Sequence, residues 1–300
     1  MNFFDFGKVL NSDTQFIVFG IPWDYLSSID AANSAMAPDK IREISDNLAL
    51  TTERGYEIPK LRVIDFGNVL IEAKDVERNL KEIRYFVSSI YEQKANIIPV
   101  MIGGDHFCTY PVIEVVGENF HNKNEFGVLI FDAHLDLYDK WDKGVYSHAT
   151  VSHRIYDLEY INQKNLLIVG TRDIDISEMK FAEKENITYL NAFKLIELDL
   201  DNYSNKIHEF FEKSNIKNLY VSIDIDVLDP SIAPGTGYAI PGGFMYREIW
   251  KILRDLAKHF NIIGFDLVEV APNLDLPNNM TCNLAAKIII EFISFISSNY

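Results

Sequence analysis

The stretch Phe126-Gly127-Val128-Leu129-Ile130-Phe131-Asp132-Ala133-His134-Leu135-Asp136 passes from an apolar run straight into carboxylates and an imidazole. The run lacks the alternation of a strand with one wet face, so it reads as a strand buried on both faces. Similar runs rich in Val, Ile and Phe recur at residues 14–20, 61–66, 96–102, 166–170, 187–190, 219–225 and 262–268. Between them lie stretches with apolar residues three or four apart, at 38–50, 74–91, 202–211, 246–259 and 283–298. Val76, Leu80, Ile83 and Val87 show the spacing well. Strands alternating with helices predict a three-layer α/β/α fold around a mainly parallel sheet of about eight strands. Chemistry-bearing clusters are spread along the chain without an intervening linker or repeat, so a single domain over residues 1–300 is expected.

Composition narrows the partners. Forty-four acidic residues against twenty-eight basic ones give a formal charge of −16. Such a surface repels phosphate backbones, so no nucleic-acid partner is expected. Cys108 and Cys282 are too few for a disulfide scaffold and suit a reducing cytoplasm. Met1-Asn2-Phe3-Phe4-Asp5 lacks the basic flank and apolar run of a secretory signal, which points to the cytoplasm as well. The apolar run 288–295 is interrupted by Glu291 and is short for a bilayer, so no membrane association is expected.

Polar clusters follow the expected strands: Gly103-Gly104-Asp105-His106, then 132–136, Asp224-Ile225-Asp226, the turn-rich loop 229–243, and 266–269. Open parallel sheets bind ligands at the carboxyl ends of their strands. A spacing of two puts Asp132, His134 and Asp136 on one face of extended backbone, and likewise Asp224 and Asp226. Unpaired carboxylates at the end of a buried strand are costly, and a cation would neutralise them. With oxygen ligands from aspartates, nitrogen ligands from His134 and His106 and no sulfur, manganese fits better than structural zinc. Several carboxylates able to bridge point to two ions that activate a water between them.

Gly103–His106, Asp132–Asp136, residues 222–237 (Ser-Ile-Asp-Ile-Asp-Val-Leu-Asp-Pro-Ser-Ile-Ala-Pro-Gly-Thr-Gly) and 266–272 together resemble the ureohydrolase family of arginases and agmatinases, in the same order and with similar spacing. The resemblance implies an arginase-like fold and two manganese ions per chain, held by His106, Asp132, His134, Asp136, Asp224 and Asp226. By similarity Asp132 and Asp224 bridge the ions, His106 and Asp136 complete one, and His134 and Asp226 the other. Glu269 is similar to the family's guanidinium-binding carboxylate, a role suited to two parallel hydrogen bonds. His148, in Tyr146-Ser147-His148-Ala149-Thr150, resembles the loop histidine of agmatinases and would carry protons to the departing amine. His153 is the second choice for that role, while His121, His208 and His259 read as packing or surface residues. The chain departs from the family pattern at Phe107 and Cys108, at Ala149 for the usual glycine, at Tyr238 for a common threonine, and in the 26–38 loop.

The expected reaction is hydrolysis of a small cationic guanidino compound to urea and an amine, with Asp136 passing a proton to the leaving nitrogen. Agmatine is the preferred substrate, giving putrescine. Tyr138, Asp139 and Trp141 are the residues expected at the far end of the pocket, where Asp139 and Asp142 would repel a substrate carboxylate. Aminopropylagmatine, arginine, other guanidino acids and formiminoglutamate are alternatives within the enzyme reading, and a metal-binding member without catalysis is the alternative outside it. The resemblance also implies a homo-oligomer, trimeric or hexameric.

Overall fold

A computed structural model describes residues 1–26, 32–72, 74–120, 122–142 and 144–297. His121 and residues 27–31 of the 26–38 loop lie outside the described residues. In chain order the strands are β1 (Phe16–Ile21), β2 (Val63–Asn68), β3 (Ile98–Gly103), β4 (Phe126–Phe131), β5 (Leu166–Thr171), β6 (Thr188–Asn191), β7 (Asn218–Asp224) and β8 (Asn261–Val268). The helices are α1 (Ala37–Ser45), α2 (Val76–Gln93), α3 (Thr109–Asn119), α4 (Val151–Tyr156), α5 (Ile176–Glu185), α6 (Lys194–Glu197), α7 (Leu200–Lys213), α8 (Tyr246–His259) and α9 (Met280–Ser297).

All eight strands join one sheet in the order β2-β1-β3-β8-β7-β4-β5-β6, and every pairing is parallel. The apolar runs fail to alternate because both faces are covered. Phe16 and Val18 enter one core with Ile41, Ile252 and Phe292, while Ile17, Phe19 and Ile21 enter the other with Leu80, Ile83 and Val112. The predicted three-layer architecture is the one observed. The apolar C-terminal run extends further than residues 288–295. As α9 it is long and apolar enough to cross a bilayer, yet Ala285, Ile289, Phe292, Ile293 and Ile296 are packed inside the protein. Glu291 is buried too and accepts from the Glu53 backbone N–H at 2.7 Å and from Lys287 at 3.1 Å.

Topology gathers the site. Strands β3, β8, β7 and β4 are consecutive across the middle of the sheet, and these are the strands whose carboxyl ends lead into the polar clusters. Phe131 pairs with Ile223, so Asp132 and Asp224 leave the sheet side by side. Asp224 pairs in turn with Val268, the residue before Glu269. After β3 the chain crosses to β4 on the other side of β8 and β7, which opens the kind of crevice where parallel sheets bind ligands.

Candidate active site

The turn after β3 depends on Gly104. A Cβ there would stand 2.0 Å from the Trp23 carbonyl oxygen, the same carbonyl that accepts from the Asp105 N–H at 2.9 Å. Asp105 then accepts from the N–H groups of Phe107 and Leu26, both at 3.1 Å, and so fixes the next residue, His106. The departures Phe107 and Cys108 are fully buried beneath this turn, with Phe107 packed on Tyr110 and Tyr146. On the far side of the crevice, Asp224 accepts from the Asp226 N–H at 2.8 Å, and Asp226 accepts from the Ala133 N–H at 3.1 Å. These local bonds aim the carboxylates inward.

Two groups result, and Asp132 belongs to both: His106 with Asp132 and Asp224, and His134 with Asp132 and Asp226. His106 Nδ1 lies 3.0 Å from Asp132, 3.1 Å from Asp136 and 3.2 Å from Asp224. His134 Nδ1 lies 3.3 Å from Asp132 and 3.1 Å from Asp226. All six residues predicted as ligands are therefore brought together. Asp136 reaches its place with φ 53°, a left-handed conformation costing an aspartate about 1 kcal/mol or more. Such strain persists only where the surroundings enforce it.

The tautomer of His106 follows from its other nitrogen. Ser222 donates to Asp266 Oδ1 at 2.6 Å, so its oxygen accepts from His106 Nε2–H at 3.2 Å. Tyr220 donates to Asp266 Oδ2 at 2.7 Å and completes the support, which makes Asp266 a residue that acts through His106. Nδ1 is thus left to face oxygen atoms. Among the described residues Nδ1 and Asp132 Oδ2 are both buried without a hydrogen-bond partner. Lone pairs converging at 3 Å in a buried site repel one another unless a cation sits among them. The donor set, oxygen and nitrogen without sulfur, fits divalent ions of the manganese type.

Electrostatics point the same way. Burial opposes charge on His106, yet Asp132, Asp136 and Asp224 raise it well above the usual imidazole range. Burial and the charge of Asp132 push Asp136 up, and burial with Asp226 pushes Asp224 up. A divalent cation among these groups would meet the same concentration of negative charge that favours a proton on His106.

Glu269 follows β8 with φ 62°. Its N–H donates to the Gly104 carbonyl at 2.8 Å and its carboxylate accepts from the His106 N–H at 2.7 Å, which holds it beside the cluster. Burial, then the charge of Asp105, raises its carboxyl to about 8. His148 is partly buried, with Nδ1 2.9 Å from the Leu26 carbonyl, and burial lowers it below the usual range. Its ring lies nearly parallel to that of Tyr238 at 6.3 Å, and Tyr238 meets His134 edge-on at 5.7 Å. Ala149 lies in the short helical turn His148–Thr150, where its carbonyl accepts from the Tyr138 N–H at 3.2 Å.

The distal residues are placed less uniformly. Trp141 packs against Tyr138 with ring centres 4.5 Å apart, and burial pushes the Tyr138 hydroxyl up to about 12. Asp139, expected at the far end of the pocket, has its carboxylate 74% exposed and paired with Arg154 at 3.1 Å. His153 Nδ1 donates to the Leu137 carbonyl at 3.0 Å and its ring stacks on Phe181, so it is a packing residue. His208 and His259 form a ring pair between α7 and α8, away from the site.

Sequence reasoning missed Arg172. Its guanidinium donates to the carbonyls of Asp226, Val227, Leu228 and Ile240 at 2.5–3.3 Å, which ties the start of the 229–243 loop and its later part to the carboxyl end of β5. It also missed Asp173, whose exposed carboxylate stands 4.0 Å from His134 Nε2, and Glu178, which accepts from the Leu137 N–H at 2.9 Å. A signal existed for Glu178, because Asp175-x-x-Glu178 is a capping box and the structure forms both of its bonds.

A central parallel sheet whose adjoining strand ends converge on a histidine–aspartate cluster with a shared carboxylate makes this an α/β/α protein with a candidate two-ion site. Residues 14–294 match the model of the arginase family. The chain belongs to that family of hydrolases. It is 34% identical over 289 residues to the mitochondrial arginase of Medicago truncatula, covering 93% of this chain and 81% of the relative. It is 32% identical over 279 residues to the agmatinase of Bacillus subtilis (strain 168), covering 92% and 90%. The crystal structure of the agmatine ureohydrolase of Thermoplasma volcanium superposes with a TM-score of 0.83 at 27% identity, over 96% of this chain and 92% of that one.

Proposed function

We propose that the chain hydrolyses agmatine to putrescine and urea with two manganese ions per chain. The observation that carries this reading is Asp132 shared between two ligand groups, with the Glu269 carboxylate held beside them. His106, Asp132, Asp136 and Asp224 would hold one ion, and His134, Asp226 and the shared aspartates the other. Bound there, the ions would supply a water acidic enough to react near neutral pH.

The protein's own groups do the rest. Glu269 accepts two parallel hydrogen bonds from the guanidinium and fixes its plane, so orientation contributes to the rate. A carboxyl raised by burial ionises readily when that cation arrives. Asp136 would take the proton that water gives up as its oxygen bonds to the guanidinium carbon, and deliver it to the nitrogen whose bond to that carbon breaks. His148, oriented by the Leu26 carbonyl at Nδ1 and neutral near pH 7, exchanges protons with solvent through Nε2.

Asp173 at the rim favours a substrate with a cationic tail over one with a carboxylate there. That supports agmatine over arginine. The proposal also includes a cytoplasmic homo-oligomer, trimer or hexamer. Urea release by the manganese-loaded protein from a panel of agmatine, aminopropylagmatine, arginine and formiminoglutamate is the test. Agmatine should give the highest kcat/KM, and a preference for arginine would overturn the substrate assignment.

A further inference from the structure

The loop 229–243 ends its rigid part on an aromatic ring. Arg172 donates to the Ile240 carbonyl from Nη2 at 2.8 Å and from Nε at 3.1 Å. The Ile240 N–H donates back to the Tyr238 carbonyl at 3.2 Å, and Asp229 accepts from the Gly242 N–H at 2.8 Å. Thr236, two residues before Tyr238, is buried, and its N–H donates to the Pro234 carbonyl at 3.0 Å. The backbone carrying Tyr238 is therefore pinned on both sides, and its ring is presented rather than left to swing.

That ring spans the two histidines of the chemistry. It lies at 17° to the His148 imidazole and at 74° to that of His134. Tyr238 is 39% exposed, whereas Asp132, Asp224 and His106 are sealed in the crevice. The ring therefore stands over the more open half of the cluster, on the way in from solvent. A flat aromatic face attracts cations and is a poor neighbour for a carboxylate. Asp173, 4.0 Å from His134 Nε2, adds charge of the matching sign.

We propose that Tyr238 is the specificity-determining wall of the site: it selects an unbranched guanidino chain that carries a terminal ammonium and no carboxylate. The inference rests on the ureohydrolase reading, in which Glu269 holds the guanidinium and the chain leads outward past His134. Glu269 and the cluster meet the same guanidinium in agmatine and in arginine, so discrimination falls to the outer wall.

Steady-state kinetics of the manganese-loaded protein with agmatine and arginine, for wild type, Tyr238→Leu and Tyr238→Phe, tests this. Leucine keeps bulk and loses the aromatic face. Its KM for agmatine should rise about fivefold with kcat nearly unchanged, and the agmatine-over-arginine ratio of kcat/KM should fall by a similar factor. Phenylalanine should restore both values. If Tyr238→Leu instead lowers kcat and moves the pH profile while KM and the ratio stay put, the ring only braces His148 and the proposal is overturned. Should the wild type release no urea from any guanidino compound, the function reading fails separately. Calorimetric titration with agmatine then decides the ring's role: weaker binding by Tyr238→Leu upholds it, while equal binding, or none by the wild type, overturns it.

Discussion

The two halves of the ligand cluster are built to different standards of enclosure. The His106 half is sealed: its Nε2 is committed to Ser222, Ser222 to Asp266, and Asp266 also to Tyr220, all within the core. The His134 half keeps 21% of its side chain exposed, meets the edge of Tyr238, and has the solvated carboxylate of Asp173 beyond it. One half is fixed by a buried polar chain, where each lost bond leaves an unsatisfied group behind. The other is fixed by contacts that water can replace. Under the proposed function, the sealed half would anchor the ions and the open half would receive substrate and release product.

The largest loss is expected at the residue common to both halves. Asp132→Ala removes a ligand from each group and leaves the remaining carboxylates facing an undercharged site, so nearly all activity and bound metal should be lost. Metal analysis beside urea release checks this, and full metal content with normal turnover would remove the assignment.

A matched pair then sharpens the contrast. Ser222→Ala deletes the hydroxyl between His106 and Asp266 and strands a buried carboxylate oxygen, costing about 1–3 kcal/mol of stability and about 10–100-fold in metal affinity. Asp173→Asn on the open half should cost under about 0.5 kcal/mol of stability, as befits an exposed side chain. Chelator titration followed by thermal unfolding measures both, and equal effects would mean that the halves do not differ as described.

Glu269 tests function against stability. Its carboxyl is raised from its ordinary value to about 8, chiefly by burial. The unfolded chain ionises it at lower pH, so it destabilises the native state increasingly as pH rises from about 4.5 to about 8. Glu269→Gln keeps an oxygen for the His106 N–H and removes that titration. In chelated protein, denaturant unfolding should find the variant more stable than wild type at about pH 8 and above, with the gap closing towards about pH 4.5. Loaded with manganese, it should be nearly inactive. A gap that widens at low pH would contradict the sign of the shift.

How much of this is legible in the sequence depends on how far each interaction reaches. The strands show themselves because burial on both faces leaves unbroken apolar runs, and the ligands because Asp-x-His-x-Asp and Asp-x-Asp are local spacings. Helix α3 escapes a reading by periodicity: Pro111, Val112, Ile113, Val115 and Val116 are all buried, which blurs the one-sided pattern of a surface helix. Arg172 looks like a solvated residue after a strand. Beyond the Gly170 carbonyl, its partners at 226–228 and 240 lie 54 or more positions away, and no local spacing announces them. Asp266 becomes intelligible only with the register that sets it beside Ser222.

The smallest effect belongs to Asp139. From sequence its charge belongs at the far end of the pocket, where neutralising it would favour arginine. The structure pairs that carboxylate with Arg154, and Arg154 also reaches Asp157 at 3.3 Å. With its carboxylate open to water, a pair of this kind contributes about 0–1 kcal/mol, and its field on a substrate is largely cancelled by the guanidinium beside it. Asp139→Asn should therefore change the agmatine-over-arginine ratio of kcat/KM by less than about twofold, below the effect expected at Tyr238. Arg154→Ala supplies the converse, since removing the guanidinium would uncover the charge of Asp139. If Asp139→Asn alone lowers the ratio about tenfold, the carboxylate leaves Arg154 when substrate binds, and the open half of the site extends further along this loop than its resting contacts indicate.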